Sequence, residues 1–232
     1  MIPSHPFIRL LYKLWSYLWG IVLARYPSAF SGELEVWYIN GRKMLFSPQA
    51  NYSFGTLHQV FQAAFRTLAL TTWQPQRVLL LGLGGGSVVH ILQKEWKLDC
   101  HICAVELDPV VITIAREHFE MDAFGDALQI VEADAVAFVQ QCADQFDLVV
   151  VDLFIDTEVP VAIQTSTFIQ ACGALVAAGG KLLCNMMTDT PAKKQQLANF
   201  SQLFEAMPEG RLRVLAWREV NRVLIWEKFI FR

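Results

Sequence analysis

Charge is scarce in this chain of 232 residues: Asp, Glu, Lys and Arg make up 18% of it, against 54% hydrophobic residues. The net charge of −3 comes without a basic block anywhere. That removes the electrostatic footprint of a sequence-independent nucleic-acid binder, and no nucleic-acid partner is expected. Cysteine is limited to Cys100, Cys103, Cys142, Cys172 and Cys184. Cys100 and Cys103 fall in an expected strand, where alternation turns them to opposite faces, and no second pair follows at zinc-site spacing. The thiols read as buried and free, which suits a reducing cytoplasm, and no metal is expected. A membrane span is missing from residues 5–26, whose longest uncharged run, Leu14–Ala24, falls short of the about 20 residues a bilayer requires. No clear Ala-x-Ala cleavage site follows it, as a secretory leader would need. No internal repeat or low-complexity tract interrupts the chain. The length fits one domain with an N-terminal extension.

What is present centres on residues 77–108. Val78–Leu81 is a short, wholly apolar run, the pattern of a strand covered on both faces of a parallel sheet. Gly82, Gly84, Gly85 and Gly86 follow, where the chain must turn sharply and let a ligand approach the backbone. Ser87–Trp96 has helical spacing, so backbone N–H groups at its start would point at that ligand. Ile102–Val105 is a second strand, and Glu106 stands at its carboxyl end. An acid at that distance from the glycines suits the ribose hydroxyls of a nucleoside.

Around this unit the remaining elements fall in order. Residues 5–26 read as an amphipathic helix, with Phe7, Leu11, Leu14, Leu18 and Val22 on one face and Arg9, Lys13, Ser16 and Gly20 opposite. Such a helix packs on the domain or on a second copy in a homodimer. Trp15 and Trp19 with basic residues also suit a membrane surface. Residues 33–46 form a hairpin about Asn40-Gly41, the dipeptide suited to a type I′ turn. A helix over residues 55–70 carries His58 on an apolar face. Asp108-Pro109 opens another helix. Strands at Leu128–Val131, Phe146–Val151 and Lys181–Met187 alternate with helices over 165–177 and 192–206, with a Gly179-Gly180 turn before the last of these strands. Leu212–Trp217 and Arg222–Trp226 close the chain as antiparallel strands. The expected division is 1–30 for the helix, 31–50 for a small β-hairpin subdomain and 51–232 for an α/β domain, a mostly parallel sheet with helices on both faces.

The runs GLGGGS (82–87), AVELDP (104–109), EADA (132–135) and VVVDLF (149–154) resemble class I S-adenosylmethionine-dependent transferases in order and spacing. The chain is most similar to the spermidine synthase (aminopropyltransferase) group, over about residues 30–230. The resemblance implies a Rossmann-like, seven-stranded sheet ending in an antiparallel hairpin. It also implies a donor, S-adenosylmethionine or its decarboxylated form. By position, Gly82, Gly84, Gly85 and Gly86 would approach the methionine-derived part, and Glu106 would bind the ribose. Asp134, beside Ala135, would meet the adenine amino group. Gln49 looks like the glutamine the group presents to the nucleoside. Asp152 matches the acid that helps bind and deprotonate the attacking amine.

Three departures bear on the reaction. The family's GGGDGG loop is GLGGGS here, so Gly85 replaces the aspartate that pairs with the amine of the decarboxylated donor. Its Tyr-His-Glu is Leu57-His58-Gln59, and its Asp-Ser-Ser-Asp-Pro is Asp152-Leu153-Phe154-Ile155-Asp156. Asp156 and Glu158 could compensate. These departures turn the expectation toward methyl transfer to an unknown small-molecule or protein acceptor, since a polyamine needs several carboxylates and methyl transfer demands mainly positioning. Many methyltransferases, though, carry an acid where Leu80 stands. Aminopropyl transfer and a catalytically silent nucleoside-binding scaffold are the alternatives, and a dehydrogenase is a third. Asp152 and His58 are the candidate catalytic residues, with Tyr52, Phe54 and Phe154 as candidate lining of the acceptor pocket. The plainer readings are a strand-end acid for Asp152, a helix N-cap for Asp134, a structural histidine for His58, and core packing for Trp217 and Trp226.

Overall fold

The computed structural model describes residues 5–48, 51–70, 72–154 and 159–230. The chain runs α1 (Pro6–Leu18), β1 (Ile21–Ser28), β2 (Gly32–Ile39), β3 (Arg42–Phe46), β4 (Asn51–Ser53), α2 (Thr56–Thr67) and β5 (Arg77–Leu81). After β5 come α3 (Ser87–Val89), continued by a wider turn over His90–Glu95, then β6 (His101–Glu106), α4 (Pro109–Phe119), β7 (Leu128–Glu132), α5 (Ala135–Gln141) and β8 (Phe146–Val151). The remaining elements are α6 (Ser166–Leu175), β9 (Val176–Met187), α7 (Pro191–Glu205), β10 (Gly210–Trp217) and β11 (Asn221–Lys228).

Seven strands form the main sheet in the order β10-β11-β9-β8-β5-β6-β7. β9, β8, β5, β6 and β7 are mutually parallel, and β11 pairs antiparallel with both β9 and β10. Period-2 alternation divides the core between the two faces. Val78, Leu80, Ile102, Leu148 and Val150 pack with α2, α3 and α4 on one side. Leu79, Leu81, Val105, Val149 and Val151 pack with α5, α6 and α7 on the other. Because both faces are covered, these strands carry unbroken apolar runs. Connections from β5 lead to β6 on one side while β8 lies on the other, so the carboxyl ends of β5 and β8 flank the switch point where such sheets open a crevice.

Three expectations are corrected here. The N-terminal helix stops at Leu18, and Ile21–Ser28 is a strand. Trp19 is already extended, and a side chain at Gly20 would meet the Trp37 ring at 2.9 Å. β-branched Ile21 and Val22 then suit a strand, and Pro27 is tolerated because β1 is an edge. The hairpin over 33–46 forms, with Asn40 and Gly41 both at positive φ as a type I′ turn requires. It belongs, however, to a four-stranded antiparallel sheet, β1-β2-β3-β4. Gly179-Gly180 does not turn the chain but lies inside the long strand β9, at a register shift against β8.

Side chains tie the small sheet to the main domain. Tyr26 Oη donates to Glu117 Oε2 at 2.7 Å, Lys43 Nζ to the His118 carbonyl at 2.8 Å, and Ser28 and Ser31 hydroxyls to Asp108 Oδ2.

Candidate functional site

A cavity of about 460 Å³ opens at the carboxyl ends of β5, β6, β7 and β8 and is closed on one side by the Phe30–Ser31 turn of the small sheet. That volume is in the range of small-molecule sites. Gly82 (φ +94°) and Gly84 (φ +52°) line it. At Gly82 a Cβ would sit 2.2 Å from the Asp152 carbonyl oxygen, so only glycine lets the end of β5 pass the end of β8.

Glu106 lies across this loop. Its Oε2 accepts from the N–H groups of Leu83 (3.0 Å) and Gly84 (3.3 Å), and its Oε1 from the N–H of Asp108 (3.1 Å). Burial pushes its carboxyl above the usual range, and these three backbone donors oppose the rise. Asp108 caps α4 through Val110 N–H at 2.9 Å and is buried by the serines of the small sheet. Asp134 caps α5, accepting from Ala137 N–H through Oδ1 at 2.9 Å. It also lines the cavity with Ala135 and Val136. The capping and the lining positions are compatible, since the cap engages one oxygen of the two.

Asp152 follows β8, and Asn185 stands on the neighbouring β9. Asn185 Nδ2 donates to Asp152 Oδ1 at 3.1 Å. Burial pushes the Asp152 carboxyl from its ordinary 3.8 up to about 7, opposed by the Asn185 bond and reinforced by Glu106. Asn185 is 3% exposed and its Oδ1 has no hydrogen-bond partner; Trp217 is half-buried, but its indole N–H is buried and also has none. Both residues line the cavity. A buried acceptor and a buried donor left open beside an acid are places for ligand polar groups. Leu57, Leu153, Phe154, Ile163, Met187 and Val220 give this side an apolar wall, with Thr56 and, at the β10–β11 turn, Arg218 and Asn221 as further polar lining.

Gly82, Gly84, Glu106, Asp134, Ala135 and Asp152 therefore share one cavity, and Phe154 lines it as expected. Others do not. His58 is buried elsewhere, with Nε2 2.7 Å from Glu95 Oε1 and its ring stacked on Phe54 at 5.1 Å. The helical turn that brings Leu57 to the cavity carries His58 toward the segment after α3, and Phe54 goes with it. Gly85 and Gly86 do not line the cavity. Gly86 (φ +81°) instead admits Met121, whose Sδ would lie 2.5 Å from a Cβ there. Gln49, Asp156 and Glu158 lie outside the described residues, as do the side-chain positions of Tyr52. Asn185, Asp108, Trp217 and Arg218 were not singled out as site residues from sequence. One polar residue inside the apolar run LLCNMM of β9 was a signal for Asn185, whereas Trp217 read as core. Among the described residues no group of three or more His, Cys, Asp or Glu is arranged to hold a metal ion.

Residues 60–208 match the spermine/spermidine synthase domain family. The chain belongs to that family. A polyamine aminopropyltransferase of Chromobacterium violaceum is 28% identical over 160 residues, which cover 66% of this chain and 61% of the relative. This chain thus spans about 60% of the length of that relative. Among solved structures, a spermidine synthase in complex with the transition-state analogue AdoDATO superposes with a TM-score of 0.71 at 16% identity, covering 90% of this chain and 74% of that one. Human methyltransferase-like protein 13 in complex with SAH gives 0.61 at 22% identity, covering 76% and 83%. Both structural likenesses concern the fold that this family shares with the wider methyltransferase class.

Proposed function

We propose that this chain moves an aminopropyl group from decarboxylated S-adenosylmethionine to a primary amine, with Asp152 accepting the amine's proton. The observation that carries the reading is the Asp152–Asn185 pair, buried at the sheet's switch point in the same cavity as Glu106. The polyamine aminopropyltransferases among the relatives support it over the methyl transfer that the glycine loop suggested.

The cavity lining supports the donor: two loop glycines allow close approach, Glu106 would take the ribose, and Asp134 with Ala135 the adenine. Glu106 already accepts three backbone hydrogen bonds, which leaves about one of its four lone-pair sites for a ribose hydroxyl. When bound, the donor supplies a carbon made electrophilic by an adjacent positively charged sulfur, which leaves as a neutral thioether. The protein then has to deliver a neutral amine. An amine reaches the site as ammonium, with a pKa near 10. Asp152, at about 7, is largely ionised at pH 8 and takes that proton through a charge-assisted hydrogen bond. Asn185 Nδ2 holds Asp152 in place, and its open Oδ1 accepts a second N–H of the amine, aiming the nitrogen lone pair. The apolar wall of Leu57, Leu153 and Phe154 excludes water from the nucleophile.

Methyl transfer is the second reading. It rests on Gly85, which stands where the family's loop carries an aspartate for the donor amine. The test is product analysis. Incubation with decarboxylated S-adenosylmethionine and putrescine should give an amine heavier by one aminopropyl unit, together with the thioether nucleoside. Formation of S-adenosylhomocysteine from S-adenosylmethionine, with no aminopropylated amine, would replace the first reading with the second.

A further inference from the structure

Helix α1 is mounted with Ser16 of its polar side against the protein and its apolar side outward. Ser16 is buried, accepting the N–H of Gly41 on Oγ at 2.9 Å and the N–H of Asn40 on its carbonyl at 2.9 Å. This docks the helix on the β2–β3 turn through Ser16, while Lys13 of the same narrow polar stripe is exposed. At roughly 100° per residue, Phe7, Leu11, Leu14 and Leu18 form the centre of the opposite face, with Trp15 and Tyr17 on its two borders. Leu14 is 57% exposed, Trp15 60%, Leu18 76% and Trp19, just past the helix, 68%. A contiguous outward face of this kind marks an interaction surface.

We propose that this face lies on an anionic lipid surface, with α1 in the plane of the interface. Two observations choose lipid over a second copy of the chain. First, residues 1–32 contain Arg9, Lys13 and Arg25 but no Asp or Glu, so the chain's whole acidic excess lies in the remainder. Arg25 is neutralised by Glu35 at 2.6 Å, which leaves the helix itself cationic. An isologous pairing through the apolar face would leave the exposed Lys13 at its flank beside another acid-free helix, with no opposite charge to meet it. Anionic headgroups supply that charge. Second, Trp15 and Tyr17 border the aliphatic centre, where rings with one apolar and one polar end sit at a headgroup boundary. Among the described residues no helix is long and apolar enough to cross a membrane, so the helix rests on the surface and does not span it.

Sedimentation of the full chain with phosphatidylcholine vesicles, and with vesicles containing phosphatidylglycerol, tests this. Binding to the anionic vesicles is expected, with a blue shift of tryptophan emission. The double variant Leu14→Glu and Leu18→Glu should keep its melting temperature, since both side chains are exposed. Its vesicle partitioning should fall at least about tenfold, and Lys13→Ala should lower binding to anionic vesicles about fivefold. Equal sedimentation of wild type and the double variant, or none at all, would overturn the proposal. Equal binding to neutral and anionic vesicles would overturn the anionic assignment. A wild-type dimer that the double variant splits, without vesicle binding, would assign the face to a second copy.

Discussion

Replacing Asp152 by Asn should abolish turnover and, at alkaline pH, make the protein more stable. The Asp152 carboxyl is buried and its pKa stands at about 7 against an ordinary 3.8. A carboxyl that holds its proton more tightly when folded contributes stability fully present below about pH 4. That stability is lost as pH rises through about 7. The difference of about three pKa units corresponds to at most about 4 kcal/mol of penalty at pH 8. Asn cannot ionise, and its oxygen can still accept from Asn185 Nδ2. Its amide N–H can reach the Asn185 Oδ1 that has no partner in the native chain. The variant should thus escape most of the penalty while losing the base. Thermal melts of both proteins from pH 4 to pH 9 measure this: the curves should lie closest at pH 4, diverge as pH rises to about 7 and stay separated above it, with the variant more stable. Parallel curves across that range would mean that Asp152 ionises without cost and that the buried-base reasoning is wrong.

Other perturbations bear on separate parts of the site. Glu106→Gln removes the acceptor proposed for the donor's ribose and should weaken donor binding by about 1.5–3 kcal/mol, roughly ten- to hundredfold in Kd by calorimetry. Gly82→Ala drives a Cβ into the Asp152 carbonyl oxygen and should cost at least about 2–3 kcal/mol in chemical denaturation, since both colliding groups are backbone-anchored. His58→Gln should leave kcat nearly unchanged and cost about 1 kcal/mol of stability through the lost Glu95 contact. A large kcat loss with intact folding would restore His58 to the chemistry.

Much of this arrangement is visible in the residue order alone. The apolar runs before Gly82 and Asp152 and the acids that follow the strands announce a buried parallel sheet with polar groups at its carboxyl ends, and local pattern suffices because each strand is short and covered on both faces. Residues 21–28 were harder to read, because Ile21, Val22 and Leu23 continue a helical pattern as well as they begin a strand. Only their antiparallel pairing with β2, a long-range contact, decides between them. Gly86 shows the converse: its sequence position matches a ligand loop, yet what it accommodates is Met121 from another element. Trp217 belongs to the site through the pairing of β10 with β11, which brings it to the cavity that Asp152 also lines and which no local spacing encodes. Asn185 was legible in part, as a lone amide in an apolar strand, but its partner lies 33 residues away.

Calorimetric titration of the purified chain with decarboxylated S-adenosylmethionine and with S-adenosylmethionine tests the proposed amine-directed transfer from the decarboxylated donor. The decarboxylated form should bind the more tightly, and Glu106→Gln should weaken it. Tighter binding of the carboxylated form would contradict aminopropyl transfer and turn the site to methyl transfer, and binding of neither would contradict a transferase altogether.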